Sequence, residues 1–203
     1  MFTLNPLPDS IDPSLLNLLA QAEPAVIGHF RLTGFMRPDI KAHFADVRVA
    51  GTAVTVCAPG MDATIIHYAI GQIRPGDFLV IDRCGDGAIA SFGGATAYAA
   101  KKAGAVGVIV DGLVTDLGEL RQYGLPVCAR GTSAVTTKLL GIGGDFCTRQ
   151  DGKSVDGYVG PIYSQPNSIG VRAGQYENFE VLQVDPNVFH NFTIAQSVTS
   201  VND

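Results

Sequence analysis

Asp116 and Glu119 stand three residues apart in the run Thr115-Asp116-Leu117-Gly118-Glu119. That spacing puts both carboxylates on one face of the first turn of a helix. Carboxylates at a strand-to-helix loop can hold a hard cation such as Mg²⁺, which keeps several waters and leaves positions for substrate oxygens. The same Asp-x-x-Glu spacing also fits a capping box, in which both side chains satisfy orphan backbone N–H groups. The two roles coexist only in part, because an oxygen already accepting N–H bonds has fewer lone pairs for a metal. A second element is Gly93-Gly94-Ala95 at the start of a helical run. Unhindered amides at a helix N-terminus bind carboxylate or phosphate without a charged side chain. The glycines could equally serve only a tight turn and close packing.

Other reactive residue types show less pattern. Asp62 and Asp86 are loop carboxylates for which cap and turn roles are expected. His29, His43, His67 and His190 have no ligand spacing, and His67, on a helix, reads as a packed or surface residue. Cys57, Cys84, Cys128 and Cys147 form no C-x-x-C pair and no zinc spacing, and three of them lie in or beside apolar runs where buried free thiols are expected. Gly85-Asp86-Gly87 lacks the third glycine of a dinucleotide fingerprint. No serine or cysteine nucleophile with an ordered base can be read out.

The elements that must position these groups repeat along the middle of the chain. Asp12-Pro13 predicts a helix start, with a leucine stripe running to Pro24. Residues 1–9 read as an unstructured arm. Val47–Cys57 reads as a strand with Gly51 marking a bulge or a close backbone approach. Asp62 can cap a helix carrying Ile65, Ile66, Ala69, Ile70 and Ile73. A strand over Phe78–Ile81, a helix over about Ala95–Ala103 and a strand over Ala105–Val110 follow. Asp111-Gly112 reads as a turn. The pattern predicts an α/β fold with a largely parallel central sheet flanked by helices. Strand ends and helix starts in such folds collect ligands. Short strands are expected near Val155–Ile162, Ser168–Arg172 and Phe179–Val184.

The 203 residues, 46% hydrophobic and only 16% charged, predict a single domain with a proper core. A net charge of −5 argues against a nucleic-acid or anionic-membrane surface. No basic leader and no apolar run approaching a membrane span is present, so a cytoplasmic home is expected.

Several stretches together resemble the family that contains the regulator of ribonuclease activity A and the class II aldolases of 4-hydroxy-4-methyl-2-oxoglutarate and 4-carboxy-4-hydroxy-2-oxoadipate. They are VAGTAVTV (49–56), APGMDATIIHYAI (58–70), RPGDFLVID (74–82), FGGATAYAAKKAGAVGVIVDGLVTDLGEL (92–120) and LPVCARGT (125–132). The resemblance is strongest over residues 45–133 of the single domain 1–203, and residues 141–203 diverge. Gly94, twenty residues, then Thr115-Asp116-x-x-Glu119 follows the family spacing G-x20-R-D-x2-E/D. The resemblance implies a β/β/α swivelling-domain fold assembled as a homotrimer or homohexamer with sites between subunits. It implies a Mg²⁺- or Mn²⁺-dependent carbon–carbon lyase acting on a small 2-oxo acid, either by retro-aldol cleavage or by decarboxylation of oxaloacetate. Asp116 and Glu119 would hold the metal, and the amides of Gly93, Gly94 and Ala95 would hold the substrate carboxylate. The motif's arginine is replaced by Thr115, which donates one neutral hydrogen bond where a guanidinium would clamp a carboxylate. Arg83 and Arg121 are the nearby candidates to substitute. The replacement also keeps open two alternatives: an enzyme for another enolisable substrate, and a non-catalytic regulator that binds a partner protein.

Overall fold

In the computed structural model, residues 1–32, 35–43 and 48–147 are described. The elements run β1 (Phe2–Leu4), α1 (Pro13–Gln21), α2 (Pro24–Gly28), β2 (Lys41–Ala42), β3 (Thr52–Cys57), α3 (Thr64–Gln72), β4 (Asp77–Asp82), β5 (Ala90–Phe92), α4 (Gly94–Ala103), β6 (Gly107–Val114), α5 (Leu117–Tyr123), β7 (Val127–Thr132) and β8 (Gly144–Phe146). One sheet has the order β1-β8-β3-β4-β6-β7-β2, with β5 paired to β6. Strands β3, β4, β6 and β7 are mutually parallel, and antiparallel partners, β8 and β2, close the two sides. The expected α/β architecture, a largely parallel central sheet with helices packed on it, is what forms.

The core follows from the strand alternation. Val54, Val56, Leu79, Ile81, Val108, Val110, Val127 and Ala129 form one buried cluster with Ile65, Ile66, Ala69 and Ile70 of α3, Ala97 and Ala100 of α4, and Leu120 of α5. The isoleucine periodicity of α3 is the stripe that meets the sheet. The small alanines of α4 allow that helix to pack between α3 and α5.

Four sequence expectations change. Residues 1–9 are no bare arm: Phe2–Leu4 pairs in parallel with β8, and Asn5 Nδ2 donates to Cys147 O at 2.8 Å. The strand expected from Val47 begins only at Thr52, though Gly51 does mark a close approach. A Cβ there would lie 2.6 Å from both Gly76 O and Val106 Cγ2. Asp111-Gly112 is not a turn but the middle of β6, at a register shift against β7. Strand continues there because buried Asp111 ion-pairs with Arg130 of β7, and because Gly112 has no Cβ to collide with the Arg83 side chain. Of the three sulfurs expected inside, only Cys147 is buried; Cys57 and Cys128 are half-buried and Cys84 is exposed. The expected strands beyond residue 150 lie outside the described residues. No helix among the described residues is long and apolar enough to cross a membrane.

Candidate functional site

The C-terminal ends of β3 and β4 and the middle of β6 carry a row of polar side chains through the strand register: Cys57 opposite Asp82, and Asp82 opposite Asp111. Just beyond this edge, α4 begins at Gly94 and β6 runs out into Thr115 and Asp116. The Thr115 amide donates to Phe92 O at 2.9 Å, which ties the end of β6 to the start of α4.

Asp116 occupies the N-cap position of α5 in the left-handed conformation, φ 54° and ψ 43°, and its side chain makes no cap bond. The capping-box alternative therefore fails for Asp116. With the backbone turned this way, the carboxylate reaches across to the other helix, where Oδ2 accepts the Gly94 amide at 3.0 Å. Thr115 Oγ1 donates to Oδ1 at 3.3 Å. Glu119, in the first turn of α5, lies against the same spot: a Cβ at Gly94 would collide with its carboxylate, and one at Gly93 would lie 2.6 Å from Asp116 Oδ2. Tyr123 Oη donates to Glu119 Oε2 at 3.4 Å. Gly93 and Gly94 thus leave the room that both carboxylates use. Asp116 and Glu119 are exposed in the single chain.

The other residues singled out in the sequence are placed unequally. The Gly93 amide donates to Thr96 Oγ1 at 2.8 Å, and that hydroxyl donates back to Gly93 O at 2.9 Å. Two of the three expected amides are therefore bonded within the chain, and exposed Ala95 supplies the next amide of the helix start. Arg83 is buried; its guanidinium donates to Ala58 O and Gly60 O and pairs with Asp86 at 2.9 Å. It fastens two loops together. Arg121 lies exposed in the last turn of α5. Asp62 does more than start α3: its carboxylate accepts from Thr64 and from the amides of Leu140, Ile142 and Gly143. Asp86 turns its own loop by accepting the Ala88 amide at 2.8 Å. His67 is a surface residue.

Two groups were not visible in the sequence. Asp111, Arg130, Asp39 and Arg37 form a chain of ion pairs behind the polar row. Burial, with Asp111 beside it, pushes the Asp82 carboxyl up to about 7, against the opposing Cys84 amide and Arg130. Cys57, Asp82 and Cys84 bring three ligand-type atoms within 4.8 Å of one another. The only hint in the sequence was that both cysteines fall at strand ends; the register supplies the rest.

Parallel strands, a glycine helix start and a carboxylate pair across from it define an α/β protein whose strand ends and helix starts meet at one edge of the sheet. The chain matches the family model RraA-like, Aldolase/RraA, over residues 24–151, and it belongs to that family. A curated relative, carried as a candidate 4-hydroxy-4-methyl-2-oxoglutarate aldolase of Halalkalibacterium halodurans, is 34% identical over 96 residues, or 47% of this chain and 46% of the relative. The chain thus spans under half the length of that relative. The RNA-processing inhibitor RraA from Thermus thermophilis superposes with TM-score 0.56 at 24% identity, covering 63% of this chain and 77% of that one. Streptomyces coelicolor RraAS2, described as an unusual member of the RNase ES inhibitor RraA protein family, gives 0.58 at 22% identity, with 64% and 68% covered. These two share the fold.

Proposed function

We propose that this protein is a divalent-metal-dependent carbon–carbon lyase for a small 2-oxo acid, cleaving a 4-hydroxy-4-methyl-2-oxoglutarate-type aldol or decarboxylating oxaloacetate. The observation that carries the reading is Asp116, turned away from capping its own helix and set with Glu119 over the start of α4. The donor set is two carboxylates with no nitrogen or sulfur, which suits Mg²⁺ or Mn²⁺; Mg²⁺ needs only one or two protein carboxylates because it retains water. Asp116 and Glu119 would hold it. When bound, the ion would supply Lewis-acid polarisation of the 2-oxo group. Thr115 fixes the Asp116 carboxylate by its hydroxyl, and the α4 amide end, with Ala95 foremost, is the place for the substrate carboxylate. The relative carried as a candidate aldolase supports the same reading. Assembly as a homotrimer or homohexamer belongs to this proposal.

One observation favours a second reading, in which the same site serves another enolisable substrate. Arg83 is turned inward onto Ala58, Gly60 and Asp86, so it does not replace the guanidinium that Thr115 lacks. The deciding assay is pyruvate release from oxaloacetate and from 4-hydroxy-4-methyl-2-oxoglutarate, with Mg²⁺ or Mn²⁺, with EDTA, and with Asp116→Ala. Turnover above the free-metal background, lost with EDTA and lowered about 100-fold or more in Asp116→Ala, is the expected result. Background rates with metal still bound would favour the redirected enzyme. Neither turnover nor metal binding would leave a protein-binding regulator.

A further inference from the structure

Two cysteines that the proposed lyase site does not use meet at the same edge of the sheet. Cys57 ends β3, and Cys84 lies two residues past β4, the parallel neighbour of β3. Their Sγ atoms are 3.2 Å apart. Cys84 is held there by its backbone: it is in the left-handed region at φ 53°, and its amide donates to Asp82 Oδ1 at 2.7 Å. Its thiol donates toward Asp82 Oδ2 at 3.7 Å. Cys84 is exposed and Cys57 half-buried, so one sulfur of the pair faces solvent and the other stands behind it. Buried Arg83, between Asp82 and Cys84, bonds the backbone of Ala58 and Gly60 just past Cys57, which keeps the two sulfur-bearing loops in register.

We propose that Cys57 and Cys84 are a dithiol site that exchanges with small-molecule disulfides and closes reversibly into an intramolecular disulfide. The alternative use of such a cluster is a soft metal, with Asp82 as third ligand. Two thiolates on one tetrahedral zinc, each at about 2.3 Å, stand about 3.8 Å apart. The observed 3.2 Å is closer than that, and Asp82 already accepts the Cys84 amide. A disulfide needs about 2.05 Å, so roughly 1 Å of further approach closes it. The chemistry balances with a low-molecular-weight disulfide as oxidant. Cys84 gives its thiol proton to solvent and, as the thiolate, attacks one sulfur of the oxidant, breaking its S–S bond and releasing one small thiolate, which takes up a proton from solvent. Cys57 then loses its proton to solvent and attacks Cys84 Sγ, releasing the second small thiolate. The two protein thiols are oxidised and the small disulfide is reduced to two thiols. The order follows from exposure. It is reinforced by the hydrogen bond to Cys84 and by burial, which hold the Cys57 thiol protonated.

The test uses the full chain, reduced and then equilibrated with glutathione and its disulfide over a range of ratios. Free thiols are then alkylated and the peptides mapped by mass spectrometry. Expected is a Cys57–Cys84 linked peptide that a dithiol reductant reverses, while Cys128 and Cys147 remain alkylated. Cys57→Ser should stop at a glutathione adduct on Cys84. Cys84→Ser should slow modification of Cys57 by at least about tenfold, as expected for loss of the accessible attacking sulfur. Circular dichroism matching the parent qualifies each variant, and the parent's own linked peptide needs no variant at all. Three results would each overturn the proposal: glutathione adducts that accumulate on the parent's Cys84 with no linked peptide, Cys128 or Cys147 reacting as fast as Cys84, or a stoichiometric zinc ion that blocks both sulfurs. The proposal stands apart from the lyase reading, since none of these readouts depends on turnover.

Discussion

Asp116 illustrates how one backbone conformation decides a side chain's task. Aspartate tolerates the left-handed region better than most residues, and that conformation removes it from the geometry an N-cap needs. Its carboxylate is then free to face the start of α4, where Gly93 and Gly94 leave room. A Cβ at Gly94 would lie 2.6 Å from Glu119 Cδ and 3.0 Å from its Cβ, so Gly94→Ala must push an exposed carboxylate out of the site. Alanine suits a helix at least as well as glycine. Gly94→Ala should therefore shift Tm by no more than a few degrees and yet lower metal-dependent turnover about tenfold or more. A melting curve and the pyruvate assay on one preparation check both halves. The twenty-residue gap between Gly94 and Thr115 was legible in the sequence, but the turn of Asp116 was not, because Asp-x-x-Glu reads the same in either conformation.

Asp82 gives the fold a pH dependence of definite sign. Burial holds its carboxyl near 7 in the fold, against an ordinary value of about 3.9 in an unfolded chain. Between those values the folded state binds the extra proton, so the favourable contribution is full below about pH 4 and is lost as pH rises through 7. Asp82→Asn keeps an oxygen for the Cys84 amide and removes the titration. Relative to the parent, this variant should gain about 2–4 kcal/mol between pH 4.5 and 8. Urea unfolding at the two pH values measures it, and a difference independent of pH would refute it.

Among the elements, the segment after β7 is tied by backbone bonds of Val135, Thr137 and Lys138, and its last residues before β8 gather on one carboxylate. Asp62 is 1% exposed and accepts from the amides of Leu140, Ile142 and Gly143 besides Thr64. It therefore fixes the chain that leads into β8, and β8 in turn holds β1 and borders β3. Asp62→Ala removes the charged acceptor of these partly buried amides, at a cost of about 1.5–3 kcal/mol. Hydrogen exchange should lose protection over residues 138–146 and in β1, while β4 and β6 keep theirs. The helices α1, α3 and α4 and the strands β4 and β6 were legible because period and length set them locally, whereas α2 and the short β5 carry too few residues to show a period. The edge strands were not. β1 is three residues of an apparent arm, and only pairing with a strand 142 residues further along makes it a strand. The Asp111-Gly112 step misleads for the same reason: its usual turn preference yields to an ion pair with Arg130 that no local pattern contains.

At the scale of the whole molecule, the exposed position of Asp116 and Glu119 sets a condition on the lyase proposal. Polarising a 2-oxo group is far more effective in a dry site than against bulk water, because the local dielectric sets the strength of every charge contact. A site open in the single chain gains that environment when a second copy closes over it, which is the assembly the family resemblance implies. The proposal therefore links activity to association. Light scattering on the eluting peak should give three or six times the protomer mass. Turnover per protomer should stay constant until dilution passes the dissociation constant of the assembly and then fall with the oligomer fraction. A monomer at micromolar concentration with full metal-dependent turnover would break that link and place the water-excluding surface within one chain.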